Sequence, residues 1–213
     1  MTTHIQTNGR KRVLHVLAGP LGRGGIEVWL SQVTPHLIGY GYQVDFLVYT
    51  SGVDPLREPL TALGCQVHLV PLQRTPWGMM RFIGDFRKVL KEGKYDIVHC
   101  HGGLLTGAFA RFAASQGVPV RIAHSHGSAE NKETARRITC FGRFLLRRWL
   151  RSFATDQMAC SQEAGEYLFG NHWRNDSKAA VLHCGIDVTP FCSVPTGVSS
   201  CRHWGLDDRE DPG

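Results

Sequence analysis

Apolar and polar positions along this chain switch repeatedly between two periods. Residues 12–18, Arg-Val-Leu-His-Val-Leu-Ala, form an apolar run of strand length. It stops at Gly19-Pro20-Leu21-Gly22-Arg23-Gly24-Gly25. Ile26, Trp29, Leu30, Val33 and Leu37 then recur at helical spacing until Gly39. The strand–loop–helix unit repeats. Residues 44–49, 65–70, 95–100, 120–124, 155–160 and 179–182 read as further strands. Residues 55–63, 77–92, 104–115, 136–153 and 163–169 read as the helices between them, several stopped by a glycine such as Gly64, Gly93 or Gly117.

Strands that are near-continuous apolar runs, alternating with helices, predict a parallel sheet covered on both faces. Right-handed crossovers make it a doubly wound α/β sheet, Rossmann-like in class. Ligands of such sheets bind beyond the carboxyl ends of the strands. Those ends carry Gly19–Gly25, His99–Gly103, His124–Ser128, Ser161-Gln162 and His183–Asp187, so glycine and polar residues gather on one rim. The expected organisation is a flexible start over residues 1–11, one domain over 12–191, and a tail over 192–213 with no clear period.

Composition narrows the class. The 213 residues are 42% hydrophobic and 20% charged, which suits a folded globular chain. No window offers eighteen uninterrupted apolar residues, and the polar start does not read as a secretory signal. Seven scattered cysteines without C-x-x-C pairs predict free thiols in a reducing cytoplasm. The net charge of +6 has an address: six arginines and no acid lie between Arg136 and Phe153. Elsewhere the two signs balance, unlike a general nucleic-acid binder, so no nucleic-acid partner is expected.

Three features could carry chemistry. Gly22-Arg23-Gly24-Gly25 opens a helix, where exposed N–H groups and the helix dipole favour an anion. The same glycines would also suit a tight turn needing positive φ. His99, His101, His124 and His126 stand in pairs at two strand ends. Imidazoles there can hydrogen-bond sugar hydroxyls or phosphates. No carboxylate accompanies them at fixed spacing, so no metal is expected. In the basic helix, Arg143, Arg147 and Arg151 recur at i, i+4 and i+8, with Arg148 beside them. Ile138, Phe141, Leu145 and Trp149 form one apolar stripe, and Leu146, Leu150 and Phe153 another. Such a helix fits an anionic membrane surface or a core-packed position with a solvated basic face, since both have the same period.

Taken in series, Gly24-Gly25-Ile26-Glu27, Tyr95-Asp96-Ile97-Val98-His99-Cys100-His101, Arg121-Ile122-Ala123-His124-Ser125-His126, Ala154-Thr155-Asp156, Ala159-Cys160-Ser161, Glu163-Ala164-Gly165, Leu168-Phe169-Gly170 and Gly185-Ile186-Asp187 are ordered landmarks. They resemble the amino-terminal half of a family 4 glycosyltransferase of GT-B architecture, of the capsular and exopolysaccharide type. The resemblance implies a nucleotide-sugar donor, no cofactor, a glycan or lipid-linked acceptor, and retention of anomeric configuration. It places Gly24 and Gly25 against the donor phosphates and the acceptor. It places His126 beside the transferred sugar as the catalytic candidate, His101 on the acceptor side, and His124 and Ser161 among the binding residues. The basic helix would dock on the inner face of the plasma membrane.

One departure from the family bears on activity. Its members carry a second Rossmann-like, donor-binding domain after the Gly-Ile-Asp segment, whereas here a tail of about twenty residues follows. The expectation is a truncated chain, inactive alone or paired with a separate donor-binding half. His183-Cys184 also stands where the family usually has proline–asparagine. Two rival functions remain: a non-catalytic membrane-surface or partner-binding module, and a metal-dependent hydrolase built on the four histidines.

Overall fold

The computed structural model describes residues 9–73, 75–127 and 139–185. The segments 1–8, 128–138 and 186–213 hold most of the expected flexible start, the first three residues of the basic helix, and the expected tail. Those expectations lie outside the described residues.

The described chain forms seven parallel strands in the order β3-β2-β1-β4-β5-β6-β7. They are β1 Arg12–Leu17, β2 Gln43–Val48, β3 Val67–Leu69, β4 Ile97–His101, β5 Val120–Ser125, β6 Asp156–Ala159 and β7 Ala179–Val181. The helices are α1 Gly25–Gly39, α2 Arg57–Ala62, α3 Pro76–Gly93, α4 Thr106–Ser115, α5 Cys140–Phe153 and α6 Gln162–Phe169, with a 3₁₀ turn at Trp173–Asn175. Each predicted element is present, most within two residues of its expected bounds. The doubly wound α/β class therefore holds.

Strand order reverses between β1 and β4, so the loops leaving these two neighbours diverge at the carboxyl rim, where ligands of such sheets bind. Strand alternation sends Leu14, Val16, Leu47, Val98 and Cys100 to one face, where they pack with Phe82, Phe86 and Phe109 of α3 and α4. The opposite face presents Leu17, Val44, Phe46 and Val48 to Trp29 and Leu30 of α1 and Leu60 of α2. A third cluster joins Ala123 and Ala159 to Leu146 and Leu150 of α5 and to Leu168 of α6.

Local signals explain the helix starts. Thr75 caps α3 by accepting from the Gly78 amide, and Pro76 sits at its first position, where no N–H is needed. Thr139 caps α5 through the Gly142 amide, and Ser161 caps α6 through that of Ala164. Near the starts of β1 and β2 lies a buried polar knot. Asp45, fully buried, accepts from the Arg12 guanidinium at 2.9 Å, the Tyr95 hydroxyl at 3.0 Å and the Gln66 amide at 2.9 Å. The five described cysteines, Cys65, Cys100, Cys140, Cys160 and Cys184, are all free thiols.

Candidate functional site

The site grows from the turn between β1 and α1. Leu21 in that turn is buried, and its amide donates to the Asp54 carboxylate at 2.7 Å. Arg57 holds the same carboxylate at 2.7 Å. Asp54 therefore anchors the glycine turn, a role its sequence setting did not signal. Gly24 is the N-cap of α1 with extended backbone, φ −70° and ψ 161°, and no side chain caps the helix. The described glycines with positive φ are Gly41, Gly64, Gly117 and Gly170, none of them in this turn. These glycines are thus not required by left-handed backbone. They leave Gly24 and Gly25 exposed at the helix start: a Cβ added at Gly25 would meet nothing within 4 Å, whereas one at Gly24 would overlap the Glu27 carboxylate, which sits over the first turn. A helix start favours an anion, and here the Glu27 carboxylate already lies beside it.

The histidines follow from sheet register. His15 pairs in register with His99, and His101 with His124, so alternation puts all four on the α1 face. His126 continues the same side just past β5. Five imidazoles thus form one cluster, one more than the paired motifs suggest. His15 sits in what reads as a plain apolar strand, and only its register with β4 reveals it. His15 Nδ1 lies 2.9 Å from His101 Nε2, His101 Nδ1 2.8 Å from His126 Nε2, and His99 Nε2 3.2 Å from His124 Nδ1. The Trp29 indole of α1 stands 6.2, 5.8 and 5.8 Å, centroid to centroid, from His101, His124 and His126. One side chain thereby fixes the glycine turn and the paired imidazoles at the same place on the rim.

Burial divides the roles within the cluster. His101 and His124, expected to meet ligand, are 4% and 0% exposed and lie beneath His126, which is half-buried. Both ring nitrogens of His101 are taken by other imidazoles. Desolvation holds the His15 and His124 pKa values down to about 3 and that of His126 to about 4. Burial, and then neighbouring imidazoles, push His99 and His101 well below the ordinary range. The cluster is therefore neutral at neutral pH.

Two sets, His15/His99/His101 and His101/His124/His126, bring one ring nitrogen from each member within 4.8 Å of the others. Neutral imidazoles are competent metal ligands. Neither set includes a carboxylate, so the charge of a divalent ion there would have to be compensated by a bound hydroxide or other anion.

The strand exits of β6 and β7 complete the rim. The Ser161 hydroxyl is occupied as the α6 cap, which leaves that helix start as the surface it presents. Ser125 braces α6 by donating to the Ala164 carbonyl at 2.7 Å. The chain after β7 brings Cys184 Sγ to 3.7 Å from His126 Nδ1, and His183 Nδ1 to 3.1 Å from the Cys160 carbonyl. The Gly185 landmark lies at the edge of the described residues, and Ile186 and Asp187 beyond it.

Helix α5 stands apart from this rim. Leu146 and Leu150 are buried, whereas Phe141 and Phe144 are 73% and 64% exposed. Phe144, Arg147, Arg148, Arg151 and Ser152 line a shallow groove on the outer surface. Arg143 lies half-buried at the flank of that surface. The helix thus carries a core stripe and a separate outward aromatic–arginine face. The Trp149 ring, half-buried between them, carries the Arg111 guanidinium 4.3 Å above it.

A doubly wound parallel sheet with glycines and imidazoles at its switch point has the fold of one half of a GT-B protein. Residues 24–185 match the glycosyl transferase 4-like domain, and the chain belongs to that family. It is 32% identical over 197 residues to EpsF of Bacillus subtilis (strain 168), a protein named as a glycosyltransferase; the match covers 89% of this chain and 48% of EpsF. It is 24% identical over 157 residues to the capsular polysaccharide biosynthesis glycosyltransferase CapH of Staphylococcus aureus, covering 74% of this chain and 42% of CapH. Among solved structures, Anabaena Alr3699/HepE in complex with UDP and glucose superposes with a TM-score of 0.61 at 14% identity, over 84% of this chain and 46% of that one. A glycosyltransferase from Rickettsia africae gives 0.64 at 14% identity, over 94% and 51%. At such identities the likeness is one of fold. The chain spans about half the length of the curated relatives it matches.

Proposed function

We propose that this domain forms the acceptor-side wall of a sugar-transfer cleft in capsular or exopolysaccharide assembly. A nucleotide-sugar is the donor and a lipid-linked glycan the acceptor, with retention at the anomeric carbon. The observation that carries this reading is the contact of Trp29 with His126 and with the two imidazoles beneath it, which sets the start of α1 beside His126. Sugar transfer builds negative charge on a departing diphosphate, and fixed donors aimed at that charge supply most of the catalysis. The amides that follow Gly24 and Gly25 are such donors. In this reading His126 hydrogen-bonds the transferred sugar, with His101 and His124 supporting it from beneath and the Ser161 helix start across the rim. An opposing donor-binding wall supplies the remaining contacts of such a cleft.

The acceptor reading draws on α5, whose outward Phe144, Arg147, Arg148 and Arg151 suit an anionic lipid surface. In this reading membrane contact through the domain is peripheral and on the cytoplasmic side; among the described residues no helix is long and apolar enough to cross a membrane.

Amide-resolved NMR titration with UDP-glucose, and separately with an isoprenoid-diphosphate glycan, tests the reading. The expected shifts fall on Gly24, Gly25, Trp29 and His126, and weaken in Gly24→Asp and His126→Ala. Shifts elsewhere, or none with either ligand, would overturn it. Vesicle binding that persists in the absence of any sugar-ligand response would favour a non-catalytic membrane-surface module instead.

A further inference from the structure

His15, His101 and His126 form a line. A neutral imidazole has one N–H donor and one bare acceptor nitrogen. His101 uses both of its nitrogens within the line, at 2.9 Å to His15 and 2.8 Å to His126. Whichever nitrogen of His101 donates, the other must accept. The three rings therefore share a single direction: all carry the proton on Nδ1, or all carry it on Nε2. Mixed states would leave two protons, or none, between a pair of close nitrogens.

The two ends of the line are unlike. At the inner end, His15 Nε2 is buried and has no hydrogen-bond partner. The His15 ring lies stacked on Phe46 with centroids 5.5 Å apart, and the His99 ring stands 5.1 Å away. At the outer end, His126 Nδ1 faces Cys184 Sγ at 3.7 Å, on a residue that reaches solvent. In the all-Nε2 direction, His15 would bury an orphan N–H, a rare arrangement in folded proteins. His126 would then have only a weak thiol donor to accept from. In the all-Nδ1 direction, the buried inner nitrogen is a bare lone pair, and the outermost N–H emerges where water or a ligand oxygen can take it. A buried donor and a buried acceptor left unpaired are both penalised, and the orphaned N–H is the rarer of the two. The direction also cannot reverse by passing protons along the line, because reversal needs a proton delivered to His15 Nε2, and nothing there can deliver one.

We infer that His15, acting through His101, holds His126 in the Nδ1–H tautomer and makes it a fixed hydrogen-bond donor at the rim. His15 and His101 are positioning residues: they touch no ligand and set the polarity of the ring that does. The inference rests on the proposed function only for what receives the bond, an oxygen of a sugar or diphosphate. The thiol of Cys184 is a weak acceptor that such an oxygen would readily displace. The low proton affinity of the buried rings keeps the line neutral, so the tautomer carries the information rather than a charge.

The test is ¹⁵N–¹H correlation of the imidazoles in the ligand-free, ¹⁵N-labelled full chain at neutral pH, which reads each tautomer directly. In the unaltered protein, His15, His101 and His126 are all expected to show a protonated Nδ1 and a bare Nε2. His101→Phe cuts the line, and His126 should then relax to a mixture of tautomers. His15→Gln retains an amide donor for His101 Nε2 and should leave His126 as it was. A His126 protonated on Nε2, or three rings with unequal tautomers, would overturn the inference. So would an unchanged His126 in a folded His101→Phe. If that variant does not fold, the unaltered spectrum and His15→Gln still decide. Titration with Co²⁺ supplies an independent arm: a stoichiometric tetrahedral spectrum lost in His101→Phe would assign these nitrogens to a metal and defeat the tautomer line. None of these readouts needs a sugar ligand, so a failed ligand titration leaves the tautomer result standing.

Discussion

Gly107 of α4 lies against the carbonyl oxygen of Leu146 in α5, so closely that a Cβ at position 107 would overlap that oxygen and stand 3.0 Å from the Leu150 amide. Both obstacles are backbone, which cannot swing aside as a side-chain tip would. Gly107→Ala should cost about 1–3 kcal/mol, the range for an overpacked contact. Gly84, exposed in the interior of α3 with nothing within 4 Å of a Cβ, provides the contrast. There Gly→Ala should stabilise by roughly 0.5–1 kcal/mol through helix propensity. Urea denaturation of both variants checks the pair; equal effects would refute the close α4–α5 crossing.

Asp45 supports a second expectation. Its carboxylate is buried and gathers Arg12, Tyr95 and the Gln66 amide. Burial, and the charge of Asp45, raise the pKa of the Tyr95 hydroxyl well above its ordinary value, so it remains a neutral donor. Removing the acid strands the guanidinium beside apolar strands. Asp45→Ala should destabilise by about 3–5 kcal/mol, the usual cost of breaking a buried pair. Tyr95→Phe should cost less, about 1.5–3 kcal/mol, in line with one hydrogen bond to a charged partner. Reversal of that order in denaturant melts would show that the pair is not what holds this end of the sheet.

The contrast between strand core and rim explains what could be read from residues alone. Strands such as Val13–Leu17 and helices such as α1 are legible because burial on both sheet faces and on one helix face leaves periodic marks. The two histidine pairs are legible because alternation is local. His15 is not, since its partnership with His99 and His101 depends on which strands become neighbours, a property of topology. Asp54 is hidden for the same reason: its bond to Leu21 joins two loops that meet only after β1 and β2 pair. The basic helix was half legible. Its period showed two stripes but not which one the sheet would cover, and Phe144 belonged to neither.

The imidazole cluster predicts a steep acid transition. Unfolded histidines protonate near 6.5, whereas His15 and His124 in the folded protein resist protonation until about 3, and His126 until about 4. Below 6.5 the unfolded state therefore binds protons that the folded state excludes, and stability falls as pH falls. The contribution is complete above pH 6.5 and is lost progressively between there and the folded values. Each such group contributes a slope of up to about 1.4 kcal/mol per pH unit. Near pH 5.5 the unfolding free energy should drop by more than about 3 kcal/mol per pH unit, a difference of over two protons. Urea melts at closely spaced pH values measure it. A slope below that of one proton would mean the cluster is solvated rather than dry.

The outward face of α5 yields the last prediction. Each cation near an anionic bilayer contributes about 1 kcal/mol, and the effect is confined to roughly the Debye length. Arg147, Arg148 and Arg151 share the face with Phe144, and the Leu146–Leu150 stripe is already committed to the core. Replacing the three arginines with glutamate should therefore leave folding intact, while membrane affinity falls by about a hundredfold or more. Phe144→Ala should weaken binding less, and by an amount that salt does not alter, because its share is apolar burial. Sedimentation with phosphatidylserine-containing and phosphatidylcholine-only vesicles, at low and high salt, separates the two terms. Equal binding to both vesicle types, or an unchanged triple variant, would show that this face serves only as a solvated helix surface.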